Sequence, residues 1–280
     1  MLSQRLATAA VGVPIIICLI FLGGAPYVIA VGIVLILAAL EFFAAAGGEG
    51  AIAASTERKE GRRFTPTASG IIGGISVAAV VAGADAGFAE WTGLLAAAII
   101  AAFVLPLARA DAQTGLLDWL VIVGGVAYVG YLGSHLVLLR QGPDGTDWTL
   151  LALLATFATD TTAYFVGRAV GSVRIAPDIS PGKTLEGSLA GLGAGFLAVL
   201  ALYWVTDPKI GAGSTEVVGL ALALPIAAMI GDLAESLIKR GSGVKDTSAL
   251  VPGHGGFLDR LDSVLFTAPL VYYFVQWFVV

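Results

Sequence analysis

The stretch from Asp232 to Asp262 carries nine formal charges in a chain that is only 12% charged. Five are acids (Asp232, Glu235, Asp246, Asp259, Asp262) and four are bases (Lys239, Arg240, Lys245, Arg260). Carboxylates of this kind hold Mg²⁺, and the metal together with lysine and arginine holds a polyphosphate. Asp232 and Asp259 are the expected metal ligands. The absence of a His/Cys cluster argues against a zinc site, and no Ser/His/Asp set stands out for acyl transfer. His254 is a candidate ligand or base, or a hydrogen-bond donor to phosphate.

The spacing of these residues adds to the picture. Asp232, Glu235, Ser236 and Lys239 lie three and four apart and form one stripe of a helix. A solvated helix end accounts for Lys239 and Arg240, whose long side chains snorkel, but not for the short Asp232 a turn or two deeper. Glycines at 241, 243, 253, 255 and 256 allow close approach of backbone amides to a ligand. Asp262 opens the last helix, where capping alone is sufficient explanation.

A second polar group precedes this stretch. Asp160 and Tyr164 share a helix face beside Thr161 and Thr162. An intramembrane acid is a functional candidate, with a structural hydrogen bond as the alternative. The loop SPGKTLEG contains GKT, but a P-loop needs a glycine where Pro177 stands, and a preceding strand is missing. Ser180, Gly182, Lys183 and Thr184 still precede a helix start, where an anion is favoured. An ordinary cap with a solvated lysine explains them equally well.

The elements that position these groups follow from composition. At 280 residues, 58% hydrophobic and mean hydropathy +0.91, the chain is too apolar for a water-soluble domain. An all-α polytopic membrane protein is expected, because the apolar runs are continuous and long enough to span about 30 Å. Nine spans are expected, at about 6–24, 27–46, 70–86, 91–108, 117–138, 148–167, 187–205, 216–238 and 261–279. Residues 1–145 form an N-terminal region of five spans. Residues 146–280 form a catalytic region of four, with cytoplasmic loops 168–186 and 239–260. The first run is expected to be a retained anchor, since a second span follows almost at once.

With the N-terminus inside, thirteen of the fifteen Lys and Arg fall on the inner side; Arg140 and Lys209 are the exceptions. The active face is therefore expected at the cytoplasmic surface. The net charge of −5 says little about partners, and the single cysteine, Cys18, excludes an intrachain disulfide. Gly187, Gly191 and Gly195 share one helix face suited to close packing, and Gly70 and Gly74 repeat the pattern. Glu41 near the end of span two is either functional or a helix-end acid that finds a donor.

A site of this kind can join a soluble nucleotide to a lipid. A lipid phosphate monoester has its second pKa near ~6 and is already a nucleophile, so no strong general base is needed. The protein must align two polyanions and offset their repulsion.

At these residues the chain resembles the phosphatidate cytidylyltransferases, or CDP-diacylglycerol synthases. The resemblance rests on Ser236, Lys239, Arg240, Lys245, Asp246, Pro252, His254, Gly255, Gly256, Asp259, Arg260 and Asp262. It is sharp over about 160–191 and 232–262, and looser over Tyr128 to Arg140. Val251 replaces the more usual Ile or Leu, and Leu185 replaces a frequent Trp, which bears on how that loop seats at the interface.

The resemblance implies transfer of CMP from CTP to phosphatidate, giving CDP-diacylglycerol and pyrophosphate for phospholipid synthesis. It also implies a divalent cation such as Mg²⁺, one or two per site, a homodimer, a multi-pass location in the cell inner (plasma) membrane and no nucleic-acid partner. By position, Asp232 and Asp259 would hold metal. Ser180, Lys183, Ser236, Lys239, Arg240, Lys245 and Arg260 would contact phosphates or nucleotide, with Asp160 nearby; Asp246 and His254 would join the catalytic set. A CTP-dependent lipid-alcohol kinase would use the same parts but attack the γ-phosphorus. A CDP-alcohol phosphotransferase lacks its DGxxAR-type motif here. A secondary transporter would place ion sites at Asp160 and Asp232, but there is no convincing internal repeat.

Overall fold

The computed structural model describes residues 2–46, 68–109, 112–205, 213–244, 247–248 and 255–280. Among them every regular element is a helix, and the one β-bridge is isolated, between Arg174 and Thr184. The helices are α1 (Leu2–Leu22), α2 (Gly24–Ala46), α3 (Ala68–Ala86), α4 (Phe88–Ala101), α5 (Val104–Arg109), α6 (Ala112–Gly125) and, after a π-helical turn (Val126–Tyr131), α7 (Leu132–Gln141). The remainder are α8 (Gly145–Val170), α9 (Leu185–Val205), α10 (Ser214–Gly241), α11 (Leu258–Leu261) and α12 (Val264–Phe278). Among the described residues, seven stretches are long and apolar enough to cross a membrane, counting α4 with α5 and α6 with α7 as one each. The chain is an all-α polytopic membrane protein.

The expected spans one and nine correspond to α1 and to the shorter α12. Span nine corresponds to α12 within a few residues of its expected start, after the short α11 and a two-residue turn in which the Asp262 carboxylate accepts from the Ser263 amide at 2.7 Å. Span four breaks after Ala101. Pro106 supplies no N–H and crowds the carbonyl four residues earlier, so the helix restarts at Val104.

The chain forms two compact units. The first comprises residues 1–137 and 238–261. Its core is built on glycine: a Cβ at Gly73 would fall 2.1 Å, and one at Gly125 2.4 Å, from the buried Phe43 ring. Trp91 stacks on Tyr131 with ring centroids 4.8 Å apart and donates to Ser134 Oγ at 2.9 Å. The π-helical turn supplies Tyr131 to this stack, as such bulges re-aim side chains.

The second unit comprises residues 138–237 and 262–280. Trp148, Leu151, Val199, Leu224, Val271 and Phe274 are buried together at its centre. Thr156 in α8 donates to Thr267 in α12 at 2.9 Å. The glycine face expected on α9 meets α8: Cβ atoms at Gly187 and Gly191 would lie 2.6 and 2.8 Å from the carbonyl oxygens of Ala163 and Thr159. Such contact is the usual reason for small residues between membrane helices.

Candidate active site

In the second unit, the chain leaving α8 doubles back on itself before α9. The Ile175 amide donates to Lys183 O at 3.2 Å and the Leu185 amide to Val173 O at 2.7 Å, closing a short loop. Its tip is folded by the Ser180 amide on Ala176 O (2.8 Å) and the Lys183 amide on Ser180 O (3.1 Å). Glu186 accepts from the Ser172 hydroxyl and the Val173 amide, tying the base of the loop. Thr184 caps α9, its hydroxyl oxygen accepting from the Gly187 amide at 3.2 Å.

That loop aims Lys183 at α10. Its Nζ lies 2.8 Å from Asp232 Oδ2 and also donates to the Met229 carbonyl at 3.4 Å. Of the two readings of GKT, the cap is therefore met by Thr184, while the lysine is paired with an acid. Asp232 keeps 35% of its side chain exposed. The glycine before it matters too: a Cβ at Gly231 would stand 2.5 Å from the Asp262 carbonyl oxygen. Asp160 is half-buried in α8, and on the same helix Arg168 donates to the Tyr164 hydroxyl at 3.0 Å.

In the first unit, Lys239 Nζ lies 2.8 Å from Asp259 Oδ1, with only 14% and 6% of the two side chains exposed. The other oxygen, Oδ2, accepts from the Gly256 amide (2.8 Å), the Thr247 hydroxyl (3.0 Å) and the Thr247 amide (3.3 Å). Gly255 adopts φ +84°, a left-handed conformation that glycine reaches without strain. It turns the following amides inward. The amides of this glycine-rich turn thus meet the protein's own carboxylates.

One of those carboxylates is Glu41, which the sequence left open between two roles. It is fully buried in α2 and accepts from Ser248 Oγ (2.5 Å), Phe257 N (3.1 Å) and Leu258 N (2.8 Å), while the single Thr247 hydroxyl proton is shared between Glu41 Oε2 (3.2 Å) and Asp259 Oδ2 (3.0 Å). Gly256 is needed for this contact, because a Cβ there would fall 2.4 Å from both Glu41 Oε2 and Thr247 Oγ1. Thr247 and Ser248 went unremarked in the sequence. Nothing in their residue type distinguishes them, whereas Glu41 is signalled by an acid placed inside the run LILAALEFF.

Of the remaining candidates, Ser236 is buried in α10 beside the buried Glu235, while Arg240 and Arg260 are exposed. Lys245, Asp246 and His254 lie outside the described residues. Among the described residues no group of three or more His, Cys, Asp or Glu gathers. Asp232 and Asp259 still fit a hard cation. Asp232 offers a partly exposed carboxylate, whereas Asp259, 6% exposed with Oδ1 on Lys239 and Oδ2 on Thr247 and Gly256, would exchange one of these partners for the metal; Mg²⁺ takes one or two carboxylates beside water and substrate phosphates.

Each unit of this apolar helical protein holds a lysine–carboxylate pair, Lys183–Asp232 in the second and Lys239–Asp259 in the first. Residues 3–278 match the cytidylyltransferase family; the chain belongs to it and is a nucleotidyltransferase. It is 34% identical to the phosphatidate cytidylyltransferase of Synechocystis over 98% of this chain and 96% of that protein. It is also similar to phosphatidate cytidylyltransferases of Brucella abortus (42% identity, covering 54% of this chain and 55% of that one) and Staphylococcus aureus (38%, covering 52% and 55%).

Proposed function

We propose that this enzyme transfers CMP from CTP to phosphatidate, giving CDP-diacylglycerol and pyrophosphate. The end-to-end similarity to the Synechocystis enzyme carries this reading. An oxygen of the lipid phosphate bonds to the α-phosphorus of CTP. The bond from that phosphorus to the bridging oxygen breaks, and pyrophosphate leaves with the electron pair. The attacking phosphate is largely dianionic at neutral pH, so no side chain has to remove a proton.

The work of the protein is alignment and charge neutralisation. Lys183, Lys239, Arg240, Lys245 and Arg260 hold phosphate oxygens, with Ser180 and Ser236 as hydroxyl contacts. Asp160, Asp246 and His254 complete the polar set. Asp232 and Asp259 bind a divalent cation, which offsets the charge of the triphosphate when bound. Residues 146–280 hold nearly all of these groups. The distribution of Lys and Arg supports a site at the cytoplasmic face of the inner membrane. The family resemblance supports a homodimer.

The test is purified protein in detergent with phosphatidate, Mg²⁺ and CTP labelled in the base and at the γ-phosphate. Base label in the lipid with γ label in pyrophosphate is expected; γ label in the lipid would make the enzyme a kinase and overturn the reading. In the same assay Lys183→Met is expected to lose about 10²-fold or more in turnover, since it removes a preorganised positive charge. Near-normal turnover in that variant would show that Lys183 does no more than pair with Asp232.

A further inference from the structure

Glu41 lies more than two hundred residues before the donors it binds, and those donors sit on both sides of the 249–256 stretch. Thr247 and Ser248 approach from one side, Phe257 and Leu258 from the other. The donors divide evenly: Ser248 Oγ and Phe257 N meet Oε1, while Thr247 Oγ1 and Leu258 N meet Oε2. The Thr247 hydroxyl also lies within 3.0 Å of Asp259 Oδ2, so a single side chain faces both carboxylates. The next amide along from the Glu41 pair, that of Gly256, goes to Asp259.

We propose that Glu41 is a positioning residue for the transfer reaction. It ties Thr247, Ser248, Phe257 and Leu258 to α2 and, through Thr247 and the Gly256 turn, sets where Asp259 and Lys239 stand. This rests on the reading of the enzyme as a cytidylyltransferase using Asp259. The role calls for a carboxylate. Each carboxylate oxygen meets a backbone N–H, Phe257 on Oε1 and Leu258 on Oε2, and a carboxamide would turn its NH₂ toward one of these amides, which cannot reverse its polarity. A buried acceptor set of this kind fixes one geometry, because each donor left unmet in the interior is costly.

Glu41→Gln retains the volume of the side chain and tests the proposal directly. Turnover per folded molecule, with the folded fraction measured by size exclusion, is expected to fall about 10- to 100-fold, the cost typical of outer-shell groups around a metal ligand. The KM for phosphatidate should stay within about twofold, since Glu41 touches no lipid, and Glu41→Asp should recover part of the loss. Thr247→Val should also slow turnover. Combined with Glu41→Gln, it should add little, because both act through one network.

Hydrogen exchange at Phe257 and Leu258 should accelerate in Glu41→Gln without nucleotide or lipid present. Wild-type turnover per folded molecule in Glu41→Gln, or fully additive losses with Thr247→Val, would overturn the proposal. Unchanged exchange at Phe257 and Leu258 would overturn it as well. If the wild-type protein moves no cytidylyl label, the functional reading fails, while the exchange measurement still decides whether Glu41 fastens the loop.

Discussion

Asp259→Asn is expected to lose about a thousandfold or more in turnover while still inserting into the membrane and folding. Its two oxygens divide their work: Oδ1 faces the Lys239 ammonium and Oδ2 takes three donors from Thr247 and Gly256. An asparagine can keep its oxygen toward the loop, but its NH₂ then opposes Lys239. The loop therefore survives better than the charge. Loss of one preorganised electrostatic group costs about 10²–10³-fold in catalysis, and loss of metal binding adds to it.

The double variant Lys239→Met/Asp259→Asn separates chemistry from packing. It removes the strain of an unpaired ammonium without restoring a negative charge, so its thermal stability should recover while its turnover stays low. Recovered turnover would mean that Asp259 serves only to neutralise Lys239, and the proposed metal role would fall. Chelation of divalent cations should abolish wild-type transfer, and added Mg²⁺ should restore it.

The second large effect concerns folding. Gly187→Ala is expected to destabilise the protein by about 1–3 kcal/mol, the usual cost of forcing a methyl into a filled space. The added Cβ would lie 2.6 Å from Ala163 O and 2.8 Å from Gly167 Cα, both backbone atoms that no rotamer change can move. α9 would have to part from α8 at the end that carries Lys183. A lower melting temperature in detergent and reduced transfer should therefore appear together. Leu189→Ala, on the exposed side of the same helix, is the control and should change neither much. If Gly187→Ala melts with the wild type, the close approach of α8 and α9 is not a constraint on this fold.

The helices were legible because each apolar run is long enough to span a bilayer and because glycines three or four apart mark a close helix contact, as on α9. Helix breaks were less legible. The stop before Val104 depends on Pro106 acting backwards on a turn that reads as apolar. For the site, residue type and spacing marked Lys183, Asp232, Lys239 and Asp259, but not who pairs with whom. Pairing across a chain reversal depends on tertiary packing, which spacing along one helix does not encode. Glu41 shows the limit most plainly: its position inside an apolar run signalled importance, yet its partners are separated from it by most of the chain.

That separation has a consequence for how the protein is made. Ribosomes add about 5–20 residues per second, so the 206 residues between Glu41 and Thr247 take on the order of 10–40 s to follow. During that interval α2 is already in the bilayer with an acid whose final donors do not yet exist.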